Sequence, residues 1–211
     1  MTNSFIELSA IKLGLLGDSS VGKTSICLTY TGIEFKQDIL STIGADKFEK
    51  KITLKNGKTI KLILWDTAGQ ERFRSAAFKA IRAVNAIVLV FDVTCINTFQ
   101  NIDKWLQEIN DNFDNPIIIL LGNKADIEDE RKVSKEEIEI YTKKKNLMYF
   151  ETSAKTGQGI NEGFSYIANE TYDKIIFKTN NNIQIMKEDE YEIINGCFGK
   201  KKIKKKKINQ K

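Results

Sequence analysis

The stretch "GDSSVGKTS", residues 17–25, decides the fold. Gly17, four further residues and then Gly22-Lys23-Thr24 have the spacing of a phosphate-binding P-loop. Before it, "SAIKLGLLG" alternates Ile11, Leu13 and Leu15 and reads as a buried strand ending at Gly17. After it, a helix is expected from Gly22 to about Thr31. That context lets backbone N–H groups wrap a phosphate chain, while the helix N-terminus adds positive potential. The expected phosphate contacts are Gly17, Ser20, Val21, Gly22, Lys23, Thr24 and Ser25. Lys23 would reach the β- and γ-phosphates, and the Thr24 hydroxyl would ligate Mg²⁺. ATP and GTP carry the same triphosphate, so this loop cannot choose between them.

The choice of base is written further along. "LGNKAD" follows the apolar run "IIIL", which places it at the carboxyl end of a sheet strand, where open α/β folds bind ligands. Asp126 offers a pair of acceptors. Guanine presents two adjacent donors to such a pair, and adenine does not, so adenine would leave the carboxylate unpaired. Asn123 can tie neighbouring loops together, and the Lys124 stem can lie along the base plane. "ETSAK" follows the strand "LMYF". There the Ala154 N–H could meet the guanine carbonyl oxygen, with Ser153 and Lys155 supporting the loop. The three motifs in this order point to GTP or GDP.

The remaining patterns agree with an α/β fold. "NAIVLVFDV" and "PIIILLGNK" are continuous apolar runs of strand length, as for strands covered on both faces. "FEKKITLKNGKTIKLILWD" holds two strand patterns around "KNG", a hairpin signal. Residues 32–44 read as a loop. Helical spacing puts Phe99, Ile102, Leu106 and Ile109 on one face of "NTFQNIDKWLQEIND", and Phe164, Ile167, Thr171 and Ile175 on one face of the last helix. Ser134 and Glu137 have capping-box spacing. Strands alternating with helices give a largely parallel sheet. The body is expected to end near residue 178, leaving 179–211 as a flexible tail.

Composition removes several alternatives. The chain has 211 residues and no histidine, which excludes imidazole-based catalysis and most zinc sites. Its three cysteines, Cys27, Cys95 and Cys197, lie far apart and suggest neither a zinc spacing nor a disulfide framework. No apolar run is long enough for a membrane span. The N-terminus lacks a secretory pattern and a Gly after Met1, so neither secretion nor myristoylation is expected.

"GDSSVGKTS", "STIG", "WDTAGQERF", "NKAD" and "ETSAK" appear in an order that resembles the Ras-like small GTPases, and among them the Rab family. The resemblance spans roughly residues 9–178. It implies a P-loop NTPase G domain with a mostly parallel six-stranded sheet and helices on both faces. By the same resemblance, Phe35 meets the guanine edge, and Thr42 ligates Mg²⁺ and senses the γ-phosphate. Asp66 would hold the metal, through water. The Gly69 N–H would touch the γ-phosphate, and Gln70 would orient the attacking water, a role that suits a loose phosphoryl-transfer transition state. The implied function is a slowly hydrolysing GTP/GDP switch in vesicle traffic. Residues 36–46 and 67–80 would be ordered by the γ-phosphate and released on hydrolysis. Its partners would be an exchange factor, a GTPase-activating protein and effectors.

Other readings share some of these motifs. A nucleotide-locked scaffold would not need the intact Gln70, an ATP-using kinase would not carry Asp126 with "ETSAK", and a Ras-type signalling GTPase is a close neighbour. The chain also departs from the Rab pattern. "IGADKF" has Lys47 where Rabs carry Phe, with Phe48 one later; the hairpin is one residue longer; and "FKAIRAV" has Ala80 and Ile81 in place of a Tyr-Tyr pair. These positions are expected to face partners, with Trp65 and Phe48 meeting on the switch face.

The tail carries the charge. The net charge is +5, but residues 200–211 hold eight lysines and no acid, and without them 25 basic residues face 28 acidic ones. Attachment to an anionic membrane surface is the favoured reading of this run, over a nucleic-acid contact or a nuclear address. Cys197 lies fourteen residues before Lys211, outside any C-a-a-X box or terminal cysteine pair, so ordinary prenylation is not expected and palmitoylation is the candidate. The expected location is cytoplasmic, reversibly on the cytosolic face of an endomembrane.

Overall fold

The computed structural model describes residues 8–36, 40, 42, 44–70, 74–189, 191–196 and 199–204, with side chains up to residue 180. Two compact units divide the chain, Met1–Thr171 and Tyr172–Lys211. In the first, six strands form one sheet: β1 (Ala10–Leu16), β2 (Ala45–Thr53), β3 (Thr59–Thr67), β4 (Ala86–Asp92), β5 (Ile117–Asn123) and β6 (Met148–Glu151). Their spatial order is β2-β3-β1-β4-β5-β6. Only β2 runs antiparallel, against β3; every other pairing is parallel. Parallel neighbours need crossovers, in which helices lie: α1 (Lys23–Thr31), α2 (Arg74–Ile81), α3 (Ile96–Gln100), α4 (Ile102–Asn112) and α5 (Lys135–Lys145); α6 (Ile160–Asp189) follows the last of the six strands.

Strand alternation sorts the core into two layers. Ile87, Leu89 and Phe91 of β4 face a cluster that takes in Phe78 and Ile81 of α2, Trp105 and Ile109 of α4 and Ile138 of α5. On the opposite face of the sheet, α1 and the first part of α6 meet through Tyr30 and Phe164, whose ring centroids are 4.2 Å apart. All seven residues of β4 are buried, which is why its sequence reads as one apolar run rather than an alternation. The capping box opens α5 as expected: the Glu137 N–H donates to Ser134 Oγ at 3.2 Å, and the Ser134 N–H donates to Glu137 Oε2 at 2.9 Å.

Three expectations are corrected. The segment read as one helix breaks at Asn101 into α3 and α4, and its buried stripe is Ile102, Trp105 and Ile109, with Leu106 only partly buried. Positions 105 and 106 both satisfy helical spacing, and the larger apolar side chain took the core.

Phe48 and Trp65 do not meet. Lys47 stands opposite Trp65 in the β2–β3 register and Phe48 stands opposite Leu64, so the two aromatics lie on opposite faces. The aromatic displaced by one residue therefore turned inward, and Lys47 took the switch face.

Ile81 is not a partner-facing residue. It is fully buried, in the cluster with Phe78 and Trp105, and a Cβ placed on Gly14 would come within 2.9 Å of its Cδ1. Ile81→Tyr is accordingly expected to destabilise the protein by about 1–3 kcal/mol through overpacking. The exposed Ala80 should accept Tyr within about 0.5 kcal/mol. Urea denaturation of the two variants measures the difference, and equal midpoints would contradict the burial of Ile81.

The second unit holds the rest of α6 and an antiparallel hairpin of β7 (Tyr191–Gly196) and β8 (Gly199–Lys204), paired so that Gly196 stands opposite Gly199. Helix and hairpin thus occupy a stretch whose polar, weakly patterned sequence gave no element. Cys197 and residues 205–211 lie outside the described residues.

Candidate nucleotide site

The carboxyl ends of β1, β3, β5 and β6 converge on one cavity of about 450 Å³. It is lined by Ser20, Gly22, Lys23, Thr24 and Ser25 from the P-loop, Phe35 and Thr42 from the following loop, and Gly69 and Gln70 after β3. Asn123, Lys124, Asp126, Ala154 and Lys155 complete the wall. Gly17, Val21, Asp66 and Ser153 do not line the cavity.

Lys23, the first residue of α1, is buried, and its Nζ donates to the carbonyls of Gly17 at 2.8 Å and Asp18 at 2.7 Å. Burial lowers its pKa to about 8, against the opposing charges of Asp66 and Asp18. A cation held this far from water is poised for an anion. Gly22 carries φ 94°, and a Cβ there would collide with Asn123 Nδ2. Gly69 has no such backbone need, but any side chain on it would strike the Asp18 carbonyl and Lys23 Nζ. The segment before Gln70 therefore packs directly on the phosphate grip.

Thr24 Oγ1 donates to Asp66 Oδ2 at 2.6 Å, Thr42 Oγ1 donates to the same oxygen at 3.1 Å, and the two hydroxyl oxygens are 3.0 Å apart. The other oxygen of Asp66, Oδ1, is buried with no partner. Desolvation raises the pKa of Asp66, and the Thr24 hydrogen bond and the Lys23 charge oppose the rise. One carboxylate with two hydroxyls, completed by phosphate oxygens, is a donor set that suits Mg²⁺. The residues present fit that ion.

At the other end, Ser153 Oγ donates to Asp126 Oδ1 at 2.6 Å and orients the carboxylate. Asn123 joins three loops: its Nδ2 donates to the Val21 carbonyl at 2.9 Å, and its Oδ1 accepts from the Ala154 N–H at 3.1 Å. The Ala154 N–H expected at the guanine carbonyl is thus given to Asn123 in this arrangement. Lys124 has a left-handed backbone, φ 68°, and its Nζ pairs with Asp92 Oδ2 at 2.6 Å.

Several contributors were missed in the sequence. Asp92 fixes Lys124, and the signal was its place at the end of β4, in register with Asn123. Leu40 and Ile127 add apolar wall, and Thr29 Oγ1 donates to the Ala154 carbonyl at 2.6 Å, tying α1 to the "ETSAK" loop.

A phosphate grip and an acceptor pair for a base edge, held at the two ends of one cavity on a mostly parallel sheet, define a P-loop protein for purine nucleotides. A Ras family model matches residues 12–173. The chain is 40% identical over 169 residues to the Ras-related protein Rab-13 of Rattus norvegicus, covering 80% of this chain and 81% of the relative. It is also 40% identical over 158 residues to the Ras-related protein Rab-13 of Bos taurus, covering 74% and 77%. The chain belongs to the Ras family of small GTPases and, within it, to the Rab family. It is a Rab-like GTPase that binds guanine nucleotide, hydrolyses GTP and acts in vesicle traffic. Exchange factors, GTPase-activating proteins and effectors are the kinds of partner that follow from the family.

Proposed function

We propose that the 450 Å³ cavity holds GTP or GDP with Mg²⁺, and that Gln70 orients the water that attacks the γ-phosphorus. The observation that carries this is the convergence of buried Lys23, the Asp66–Thr24–Thr42 oxygen triangle and the Ser153-held Asp126 on one cavity. Lys23 and the P-loop N–H groups neutralise the phosphates. Asp126 accepts from the guanine edge while Phe35 and Lys124 bound the base. Thr24, Thr42 and Asp66 would hold Mg²⁺, which when bound supplies positive charge to the β- and γ-oxygens. In the reaction, water bonds to the γ-phosphorus as the bond to the β–γ bridging oxygen breaks, and the water proton leaves on phosphate. Slow basal turnover, raised by an activating protein that brings positive charge to the transferred phosphoryl group, is the behaviour this reading expects.

Thr24→Asn tests the metal reading. The amide cannot reproduce a compact hydroxyl 2.6 Å from Asp66, so GTP and Mg²⁺ affinity should fall together, with GDP retained better. The measurement is a magnesium titration of fluorescent GTP and GDP binding. Unaltered magnesium dependence would remove Thr24 from the metal site.

We assign residues 1–178 to the GTPase domain and 179–211 to a basic appendage that holds the protein reversibly on the cytosolic face of an endomembrane. No helix among the described residues is long and apolar enough to cross a membrane. Each lysine near an anionic surface contributes about 1 kcal/mol at most, which supports reversible attachment, and a lipid on Cys197 would make it stable. Flotation with phosphatidylserine liposomes at low salt should retain the full chain and lose a version cut after residue 196. Equal flotation of both would end the electrostatic reading.

A further inference from the structure

We propose that Arg74 is a positioning residue for GTP hydrolysis: with Glu108, Trp105 and Asp18 it fastens the start of α2, and so the far end of the Gln70 segment, to the post that also holds the phosphate grip. The inference rests on hydrolysis at the cavity described above.

The post is α4. Asp18 follows Gly17 in the P-loop, and its carboxylate is held from both sides. Asn101 Nδ2, at the head of α4, donates to Oδ2 at 2.7 Å, and Trp105 Nε1 donates to Oδ1 at 2.8 Å. The backbone carbonyl of the same residue accepts from Lys23 Nζ at 2.7 Å. One residue therefore links α4 to the phosphate-binding cation.

The switch side is fastened to the same helix. Arg74, the first residue of α2, donates from Nη1 to Glu108 Oε1 at 2.8 Å, and its guanidinium carbon lies 4.3 Å from the Trp105 ring centroid. Its Nη2 is 3.6 Å from Asp18 Oδ1. The Arg74 side chain is 13% exposed and Glu108 27%, so water screens this pair far less than a surface salt bridge. Arg74 Nε is buried without an acceptor. A guanidinium kept there without full hydrogen bonding is held by its stack and its carboxylates, a combination lysine cannot reproduce.

Arg74 does not line the nucleotide cavity, whereas Gln70, four positions earlier, does. Arg74 therefore acts on the chemistry through what it holds: the Asp18 carboxylate of the phosphate grip and the first residue of α2. A displacement of about 1 Å at a reacting group can cost about a hundredfold in rate, and α4 is the common reference that prevents it.

The test is single-turnover phosphate release from GTP, with GTP and GDP affinities from a fluorescent analogue. The proteins are wild type, Arg74→Ala, Arg74→Lys, Glu108→Gln and the Arg74→Ala/Glu108→Gln double variant. Arg74→Ala should hydrolyse at least about tenfold more slowly, with nucleotide affinity within about twofold. Arg74→Lys should recover only part of the rate, because it keeps the charge and loses the planar stack. The double variant should be no slower than Arg74→Ala, since both changes break one connection. A lowered melting temperature with wild-type hydrolysis would leave Arg74 a purely structural residue and overturn the proposal. So would a rate loss matched by an equal loss of GTP affinity. Should Arg74→Ala not fold, Arg74→Lys and Glu108→Gln carry the same comparison. A wild type that releases no phosphate would instead bring down the hydrolytic reading of the cavity.

Discussion

Asp126→Asn is expected to weaken GDP binding by about 10⁴-fold and to turn base preference from guanine to xanthine. The carboxylate presents two acceptors, one of them already oriented by the Ser153 hydroxyl at 2.6 Å. The amide presents one acceptor and one donor. Against guanine, whose edge offers two donors, the new donor faces a donor and the base loses a charged hydrogen bond. Sites that recognise a partner through buried polar groups discriminate by about 10⁴–10⁵ when the match fails. Xanthine replaces the exocyclic amino group with a carbonyl and restores the match. Competition of GDP, XDP and ADP against a fluorescent nucleotide reads the change. An Asp126→Asn protein that kept guanine preference would show that another group reads the base.

The second large effect falls on turnover. Gln70→Leu removes the group proposed to orient water and leaves the phosphate grip, the oxygen triangle and the base reader untouched. Hydrolysis should drop by about 10²-fold or more, the range of a positioned proton-handling or polarising group, while GTP affinity stays within about twofold. The variant should accumulate in the GTP form. Gln70 lines the cavity alongside Gly69, which packs on Asp18 and Lys23, so the loss should be felt at the Lys23 end of the cavity and not at Asp126. A variant hydrolysing at the wild-type rate would take Gln70 out of the mechanism.

Much of this was legible because phosphate grips and base readers are local. Gly22-Lys23-Thr24 needs a strand before it and a helix after it, and β1 and α1 supply both. "NKAD" and "ETSAK" each follow a strand, and parallel neighbours bring strand ends together, so β5 and β6 had to place Asp126 near Ser153. What stayed hidden was set by neighbours distant in sequence. Helical spacing allowed Leu106 or Trp105 into the core, and only the Asp18 carboxylate, waiting for a donor from Trp105 Nε1, distinguishes them. The inward turn of Phe48 depended on the β2–β3 register, where one residue reverses every side chain. Ile81 looked like a surface position because the family pattern sets an aromatic there, whereas here it fills the space over Gly14.

The face around Trp65 is set by those same residues. Lys47 now stands beside Trp65, pairs with Glu49 at 2.5 Å and leaves half its side chain in water, and Lys61 reaches the same carboxylate at 2.9 Å. Where a continuous apolar face would accept an apolar helix, this face interrupts the apolar area with charge. A partner docking on this face would meet the Lys47 charge where a chain with Phe presents apolar surface; Lys47 does not line the nucleotide cavity.

The most direct measurement is single-turnover phosphate release by the purified wild-type protein with Mg²⁺, using GTP and ATP in parallel at equal concentration. The expected result is slow release of one phosphate per protein from GTP, suppressed when Mg²⁺ is chelated, and none from ATP. Release from ATP at a comparable rate, or GTP bound without any phosphate release, would contradict it.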